Sequence, residues 1–270
     1  MFRTGSTSYV IPDHIIPNVE FLGPLVDDIQ LVLFETDEHG SNLPHRSEIR
    51  RLNELAQEHC LTYTVHLPLD LRLGAAGQGE EGVDCDESLV KARRVIEATR
   101  DLDPHAYTLH LDGRCLIENP TAEVINRWRE ASAGALKMVS DWLDEPERLG
   151  IENVEAWDPV AFAPLVTALP VGRTIDVGHL WLQGADPVDH LEQWVDRARV
   201  VHLHGIAERD HASLAHVPSA ELDRVTAFLA ENFSGVVTIE VFNLADLTSS
   251  LEVLAESVNR VSGGGRWVPN

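Results

Sequence analysis

The sequence predicts a single (β/α)8 TIM barrel, an α/β fold of eight parallel strands closed into a ring and surrounded by helices. Strand-like and helix-like segments alternate along all 270 residues, and eight such pairs are recognisable. Alternation of this kind is typical of a parallel sheet, and barrels of this type commonly contain about 250 residues. The segment that begins Gly5-Ser-Thr-Ser is not a Gly-rich dinucleotide loop, which argues against a doubly wound sheet. We expect one catalytic barrel over residues 1–262 and a flexible tail over residues 263–270.

The eight predicted strands are short apolar or β-branched runs, and helices with apolar residues three or four positions apart follow them. In chain order the strands are Gly5–Val10, Ile29–Glu35, Leu61–Leu67, Ala106–Leu111, Gly150–Val154, Arg173–Val177, Val200–His204 and Val236–Phe242. The first helix follows His14 and ends near Val26, and Asp86 is the expected N-cap of the third. The other helices are Arg46–Cys60, Glu87–Leu102, Thr121–Leu143, Pro159–Leu169, Val188–Arg197, Ser219–Asn232 and Thr248–Val261.

The composition limits the classes of partner. The formal net charge is -23, and Lys91 and Lys137 are the only lysines. An acidic surface repels phosphate backbones, so we expect no nucleic acid partner. Three cysteines without CxxC spacing, Cys60, Cys85 and Cys115, indicate a reducing compartment rather than a disulfide framework. The chain shows no signal-peptide pattern and no apolar run of membrane-spanning length, so we expect a cytoplasmic protein without a membrane partner.

A long Gly- and Glu-rich segment, Gly74–Asp86, follows the third predicted strand. Loops of this length in compact domains are usually functional or disordered. Two interpretations therefore stay open for this segment, a lid over a substrate and plain disorder.

Ionisable side chains occur at the carboxyl-terminal ends of six predicted strands and shortly after them, where the active sites of such barrels lie. Six of the thirteen histidines belong to this set. His202 and His204 are two residues apart, so both point to the same side of their strand. Glu35 also ends a strand, but Asp37 and Glu38 beside it indicate a solvated acidic run.

Carboxylates and imidazoles that converge on one mouth repel one another or remain unpaired unless cations bind there. Nitrogen and oxygen ligands suit zinc best here, with manganese, iron and cobalt as alternatives. We therefore predict a site for divalent metal ions, two or three in number. The spacing does not decide whether His202 or His204 is the metal ligand on the seventh predicted strand. The candidate ligands are His66, His110, Glu152, Asp176, His179, His202, His204, Asp210, His211 and Glu240.

These motifs resemble the xylose-isomerase-like superfamily of barrels, which includes sugar isomerases and epimerases and endonucleases of the endonuclease IV type. The matching features are His66, His110, Glu152-Asn153, Asp176-x-x-His179, His202-x-His204, Asp210-His211 and Glu240. The resemblance implies that Glu152, Asp176, His204 and Glu240 hold the metal of an epimerase-type site. An endonuclease-type site would add His66, His110, His179 and His211 around three zincs. Asp210 departs from that pattern, because the endonucleases have one residue between the aspartate and the histidine.

Longer segments resemble the cobamide-remodelling phosphodiesterases. They are Ser8–Pro12, Val26–Glu35, Ser41–Pro44, Leu61–Asp70, Asp176–Leu180, His202–Gly205 and Asp210–Leu214. This resemblance implies a hydrolase that cleaves the phosphodiester joining the nucleotide loop of a cobamide to its corrin ring, which releases cobinamide for salvage with another lower base. It implies a small-molecule corrinoid as the partner. Glu152, Asp176 and Glu240 are the expected catalytic residues.

Three other functions remain as alternatives. A sugar or sugar-phosphate isomerase or epimerase of the same barrel needs only one cation, fewer than this ligand set can hold. An apurinic endonuclease would need a basic face to follow the DNA backbone. A corrinoid-binding or metal-storage protein would bind tightly without turnover. The sequence gives no indication of the oligomeric state.

Overall fold

The structure is a computed structural model that describes residues 1–36, 40–75, 83–117 and 119–262. Eight parallel strands close into a barrel, which confirms the predicted fold class. The ring consists of β1 (Arg3–Thr7), β2 (Asp28–Val32), β5 (Thr62–His66), β6 (Ala106–Leu109), β7 (Leu149–Glu152), β8 (Gly172–Asp176), β9 (Ala198–Leu203) and β10 (Val236–Ile239), each paired with the next, and β10 with β1. A small hairpin, β3 (Glu35–Thr36) and β4 (Gly40–Ser41), lies outside the ring.

Nine helices occur among the described residues. They are α1 (Ile15–Leu22), α2 (Arg46–His59), α3 (Val83–Thr99), α4 (Ala122–Ser140), α5 (Ala163–Ala168), α6 (Val177–Leu182), α7 (Pro187–Trp194), α8 (Ser219–Asn232) and α9 (Leu244–Val261). Within that same part of the chain, no helix combines the length and the apolar character that crossing a bilayer requires. The predicted tail over residues 263–270 lies outside the described residues.

Several helix boundaries differ from the sequence-based prediction. Helix α3 begins at Val83, so Asp86 lies inside its first turn and is not the N-cap. Helix α9 begins at Leu244 rather than Thr248, because the Asn243 side chain accepts a hydrogen bond from the Asp246 backbone N–H and caps the helix there. Residues 76–82 of the predicted Gly74–Asp86 loop lie outside the described residues, so its two interpretations stay open.

The apolar core lies between the outer face of the barrel and the helices. Outward-facing strand residues such as Ile29, Val65 and Ile175 are fully buried there. The interior of the barrel is polar instead: Thr108 and Thr174 hydroxyls meet across it at 3.0 Å. Side chains alternate along each strand, so the residues between the apolar outward-facing ones point into the barrel. These inward-facing residues are polar, and at the carboxyl-terminal end of the barrel they include the ring of ionisable residues.

The loop after β1 is fixed by one buried side chain, Asn18. Its amide oxygen accepts hydrogen bonds from the Val10 and Ile11 backbone N–H groups, and its amide nitrogen donates to three backbone carbonyls. We expect Asn18→Ala to lower the free energy of unfolding by about 2–3 kcal/mol, because buried backbone groups lose their partners. Urea denaturation of the variant measures this. The exposed Asn232, which bonds only to the Phe228 carbonyl, supplies the control N232A, expected to change stability by less than about 0.5 kcal/mol; equal losses in both variants would contradict the prediction.

Candidate metal centre

The ten predicted ligands lie together at the carboxyl-terminal end of the barrel. Their ligand atoms form overlapping groups in which all atoms lie within 4.8 Å of one another. The strand register accounts for part of this, because Asp176 on β8 pairs directly with His202 on β9. The groups are His66–His110–Glu152, Glu152–Asp176–His202–Glu240, Asp176–His179–His204–His211 and Glu155–His179–Asp210. We refer to the first three as the outer, central and third groups.

Glu152 joins the outer group to the central group. Its Oε2 lies 3.2 Å from His66 Nε2 and 2.8 Å from His110 Nε2. Its Oε1 lies 3.0 Å from His202 Nδ1. The carboxylate is almost fully buried at the end of β7. One oxygen thus faces each group, which is the arrangement of a carboxylate that bridges two cations.

Gln30 fixes the orientation of His202 from inside the barrel. Its amide nitrogen donates to Glu240 Oε1 at 3.0 Å, and a carboxylate can only accept. Its amide oxygen must therefore face His202 Nε2, 2.7 Å away, so that this nitrogen carries the proton. In the neutral ring the lone pair of Nδ1 then points at Glu152, Asp176 and Glu240, at 3.0, 3.7 and 2.9 Å. This geometry places His202 in the central group and His204 in the third.

Three more histidines show the same arrangement. His66, His179 and His204 each place Nδ1 on a backbone carbonyl, of Leu67, Asn153 and Gly205, at 2.7, 2.9 and 3.2 Å. The Nδ1–H donates there, because a carbonyl only accepts, and Nε2 faces the carboxylates. Metal-binding histidines characteristically donate one ring N–H to such an acceptor, which fixes the tautomer and the ring orientation.

Within the described part of the chain, two buried polar atoms of the third group lack a hydrogen-bond partner. Asp176 Oδ1 accepts from the His179 backbone N–H at 2.7 Å, whereas Asp176 Oδ2 accepts no hydrogen bond. His204 Nε2 lies 3.1 Å from Asp176 Oδ1, but without hydrogen-bond geometry. Burying such atoms unpaired is costly. The chemistry of these donors, carboxylate oxygen and imidazole nitrogen, fits a divalent cation of the zinc type.

In the absence of a cation, nearby carboxylates favour the protonated forms of His179 and His204. Burial lowers the pKa of His204, but the nearby carboxylates of Asp176, Glu240 and Asp210 together outweigh it and raise the pKa to about 9. Burial also lowers the pKa of His179, but Asp176, Glu152 and the Asn153 carbonyl together raise it to about 8. Burial raises the pKa of Glu152, but the charges and hydrogen bonds of His202 and His110 together lower it by more. The pKa of this carboxyl therefore lies well below its usual value. Protons therefore compete with metal ions for this centre.

Asp210 reaches the centre although it directly precedes His211. His211 has a backbone φ of 52°, a left-handed conformation that histidine adopts more readily than most residues. Asp210 Oδ2 then lies 3.4 Å from His179 Nε2, and His211 Nε2 lies 3.4 Å from Glu240 Oε2. The two side chains also face each other, with His211 Nδ1 3.5 Å from Asp210 Oδ2, so both reach the centre.

Gln30 and Glu155 also contact the centre, although neither is among the predicted residues. Glu155 Oε2 lies 3.6 Å from His179 Nε2 on an exposed side chain. A glutamine inside the apolar run of β2 was the available signal for Gln30, whereas nothing distinguished Glu155 from other loop acids. Glu35 belongs to none of the four groups. Its side chain is only 15% exposed rather than solvated, and it pairs with Arg94 at 2.9 Å.

Gln30→Met tests the role of the amide beneath the centre. Methionine retains the length of the side chain but neither orients His202 nor donates to Glu240. Because partners of this kind typically contribute 10- to 100-fold to metal affinity, we expect a loss of about that size. Competition with a chromogenic zinc chelator measures it. The exposed Gln57 of α2 provides the control Q57M, and equal zinc affinity in the two variants would refute the role.

Gly178 in α6 leaves room for the His204 ring. A Cβ built on Gly178 would lie 2.1–2.4 Å from three atoms of that ring. We expect Gly178→Ala to displace His204, to destabilise the protein by about 1–3 kcal/mol and to weaken zinc binding at the third group. Gly134 in α4 has no atom within 4 Å of its added Cβ, so G134A is the matched control and should stabilise the helix by up to about 1 kcal/mol. Urea denaturation and zinc content measure both; an unaltered zinc content in G178A would contradict the displacement.

A cavity of about 820 Å³ opens directly above the centre. Its floor contains the outer group, and loops that follow several strands form its walls. The wall residues comprise Tyr9, Phe34, Leu69, Arg72, Asp112, Arg114, Trp157 and Phe242. The reacting groups thus lie at the bottom of a cavity large enough for a small-molecule substrate.

Comparison with known proteins identifies the family. A search of curated sequences gives no match. Among solved structures, a D-tagatose 3-epimerase-like protein is similar over 97% of this chain and 98% of its own, with a TM-score of 0.73 and 20% identity. Endonuclease IV from Thermus thermophilus is similar over 96% of this chain and 99% of its own, with a TM-score of 0.70 and 19% identity. The family model described as xylose isomerase-like TIM barrel matches residues 26–258. The chain therefore belongs to the xylose isomerase-like TIM barrel family.

Proposed function

We propose that this protein is a metal-dependent phosphodiesterase that hydrolyses the nucleotide-loop phosphodiester of cobamides and releases cobinamide. The observation that carries the hydrolase assignment is the overlap of the outer, central and third groups through Glu152 and Asp176. Two shared carboxylates allow two or three cations to lie side by side, as in-line displacement at phosphorus uses them. Proton transfer between two carbons needs only one cation, so this ligand set exceeds the requirement of an epimerase.

The residues of the centre have different roles in the proposed reaction. Cations bound there would polarise the phosphodiester and stabilise the leaving oxygen. Glu152 holds the outer and central groups in register, and Gln30 maintains the orientation of His202. Asp176 and Glu240 supply the other two carboxylates of the central group. The proposed catalytic residues are therefore Glu152, Asp176 and Glu240, and zinc is the ion that best fits the nitrogen-rich donor set.

The charge of the chain supports a small substrate. A net charge of -23 opposes the approach of a polyanion, whereas a single phosphodiester inside a cavity needs only the local field of the bound cations. The corrinoid identity of the substrate is supported by the resemblance of seven sequence segments to cobamide-remodelling phosphodiesterases. A soluble corrinoid partner agrees with the proposed cytoplasmic location.

The second candidate is a sugar or sugar-phosphate isomerase or epimerase. The central group favours it to a degree, because Glu152, Asp176, His202 and Glu240 alone form a complete four-ligand site. Metal stoichiometry distinguishes the two. An epimerase needs one tightly held ion per chain, whereas the proposed phosphodiesterase needs at least two.

The proposal is tested by incubation of zinc-loaded protein with a cobamide, followed by mass analysis of the corrinoid. We expect cobinamide to accumulate, and Asp176→Asn to abolish it because the central and third groups both lose a charged oxygen. The exposed Glu208 precedes Asp210 by two residues but belongs to none of the groups, so E208Q is the control that retains activity. Unchanged cobamide with zinc, manganese, iron and cobalt would refute the proposal.

A further inference from the structure

The mouth of the cavity carries exposed apolar side chains on one side. Tyr9 follows β1 and Phe34 follows β2, and their rings meet edge to face with centroids 5.9 Å apart. Leu69 follows β5 and Phe242 follows β10, and all four residues line the cavity. Because β10, β1, β2 and β5 are consecutive in the ring, the four side chains lie along one continuous arc of the rim. We call these four residues the apolar arc.

Three of the four side chains of the apolar arc are exposed, and Phe34 is half-buried. Tyr9 is 47% exposed, Leu69 58% and Phe242 39%. Single exposed apolar residues are common, but several of them around one cavity indicate a binding surface. The Phe242 ring lies 5.4 Å from the His211 ring, so the arc begins directly at the third group and extends outward from it.

The rim next to the arc is charged. Asp112 follows β6 and is buried, and its carboxylate accepts hydrogen bonds from Arg114 Nε at 3.0 Å and from Arg72 Nε at 3.4 Å. The Trp128 indole N–H donates to the Asp112 carbonyl at 2.7 Å, which fixes the loop from below. The Asp112 carboxylate thus contacts two guanidinium groups at the edge of the same cavity.

We propose that the apolar arc and the Asp112-held arginines form a recognition subsite for the part of the substrate that does not react. The chemical class that fits is a broad, flat, largely apolar ring system with carbonyl or anionic groups at its periphery. One face of the ring lies against Tyr9, Leu69 and Phe242, and Arg114 donates hydrogen bonds to the peripheral groups. This inference deepens the proposed phosphodiesterase function and rests on it. A free sugar is too small and too polar to cover the arc.

The subsite is tested by binding of cobinamide, a ring system of this class without the phosphodiester. Tyr9→Ala and Leu69→Ala are the variants of choice, because Phe242 contacts the third group through His211. We expect the Kd of cobinamide, measured by absorption titration of the zinc-loaded protein, to rise at least tenfold in each. The exposed Phe21 of α1 lies away from the cavity lining, so F21A is the aromatic control and should bind like the unaltered protein. Zinc content measured in parallel shows whether the centre is intact.

Turnover separates the subsite from the reaction. With methyl p-nitrophenyl phosphate as a small diester, the ratio of kcat/KM for cobamide to kcat/KM for this ester should fall at least tenfold in Tyr9→Ala and Leu69→Ala. Arg114→Gln should lower the same ratio. If the unaltered protein cleaves neither diester, the proposed function fails, and cobinamide binding still decides the subsite. Equal cobinamide affinity in all variants, or no binding at all, overturns the subsite even if both diesters are cleaved.

Discussion

Glu152→Gln is expected to abolish turnover and to remove metal from two groups at once. In the glutamine, an NH2 group replaces one of the two carboxylate oxygens. It replaces either the oxygen that faces His66 and His110 or the oxygen that faces His202. A donor repels a cation, and the negative charge that both groups share is lost. We expect kcat/KM to fall on the order of 1,000-fold or more. Zinc per chain, determined by mass spectrometry after dialysis, should fall by at least one ion.

The control for this experiment must retain the charge of the centre. Glu208→Gln removes an exposed carboxylate from the loop that carries Asp210 and His211 without altering any of the groups. It should keep both zinc and turnover. Full zinc content in Glu152→Gln would show that the carboxylate does not bridge the outer and central groups, whatever the activity.

The sequence predicted the barrel because its strongest signals are repetitive. Alternation of buried strands such as Leu61–Leu67 with amphipathic helices such as Arg46–Cys60 depends on burial, which a sequence displays directly. The beginnings of helices were harder, because single hydrogen bonds decide them. Asp176 caps α6 and Asn243 caps α9, and neither pattern stands out from other polar residues in the chain.

For the candidate site, the sequence predicted which residues come together but not how they are divided among the groups. The carboxyl ends of parallel strands meet at one rim, so residues as distant as His66 and Glu240 were expected to converge. Positions within the rim could not be assigned in the same way. The division between His202 and His204 depends on the contacts of Gln30 across the barrel, and the reach of Asp210 depends on the left-handed backbone at His211. Both are properties of the closed fold rather than of local spacing.

The metal-free protein is expected to lose stability as the pH rises from 6.5 to 9. Burial lowers the pKa values of His179 and His204, but Asp176 and the neighbouring carboxylates together raise them to about 8 and about 9, above the ordinary value of 6.5. The folded state therefore holds these protons more tightly than the unfolded chain. Their contribution is complete below pH 6.5 and disappears as the pH passes through the folded-state values. At about 1.4 kcal/mol per pKa unit, it amounts to a few kcal/mol.

Zinc should reverse this trend, because it replaces the protons that the carboxylates otherwise retain on the imidazoles. Urea denaturation at several pH values, with chelator or with zinc, measures both curves. The midpoint of the metal-free protein should fall across the interval, and the gap to the zinc-loaded protein should widen. Burial lowers the pKa values of His105 and His190 to about 4. Both side chains are therefore neutral in the folded state over the whole interval from pH 6.5 to 9. The urea midpoint of the metal-free protein could instead stay level or rise between pH 6.5 and 9. That result would mean that the carboxylates do not hold protons on His179 and His204. Protons would then not compete with metal ions at the third group.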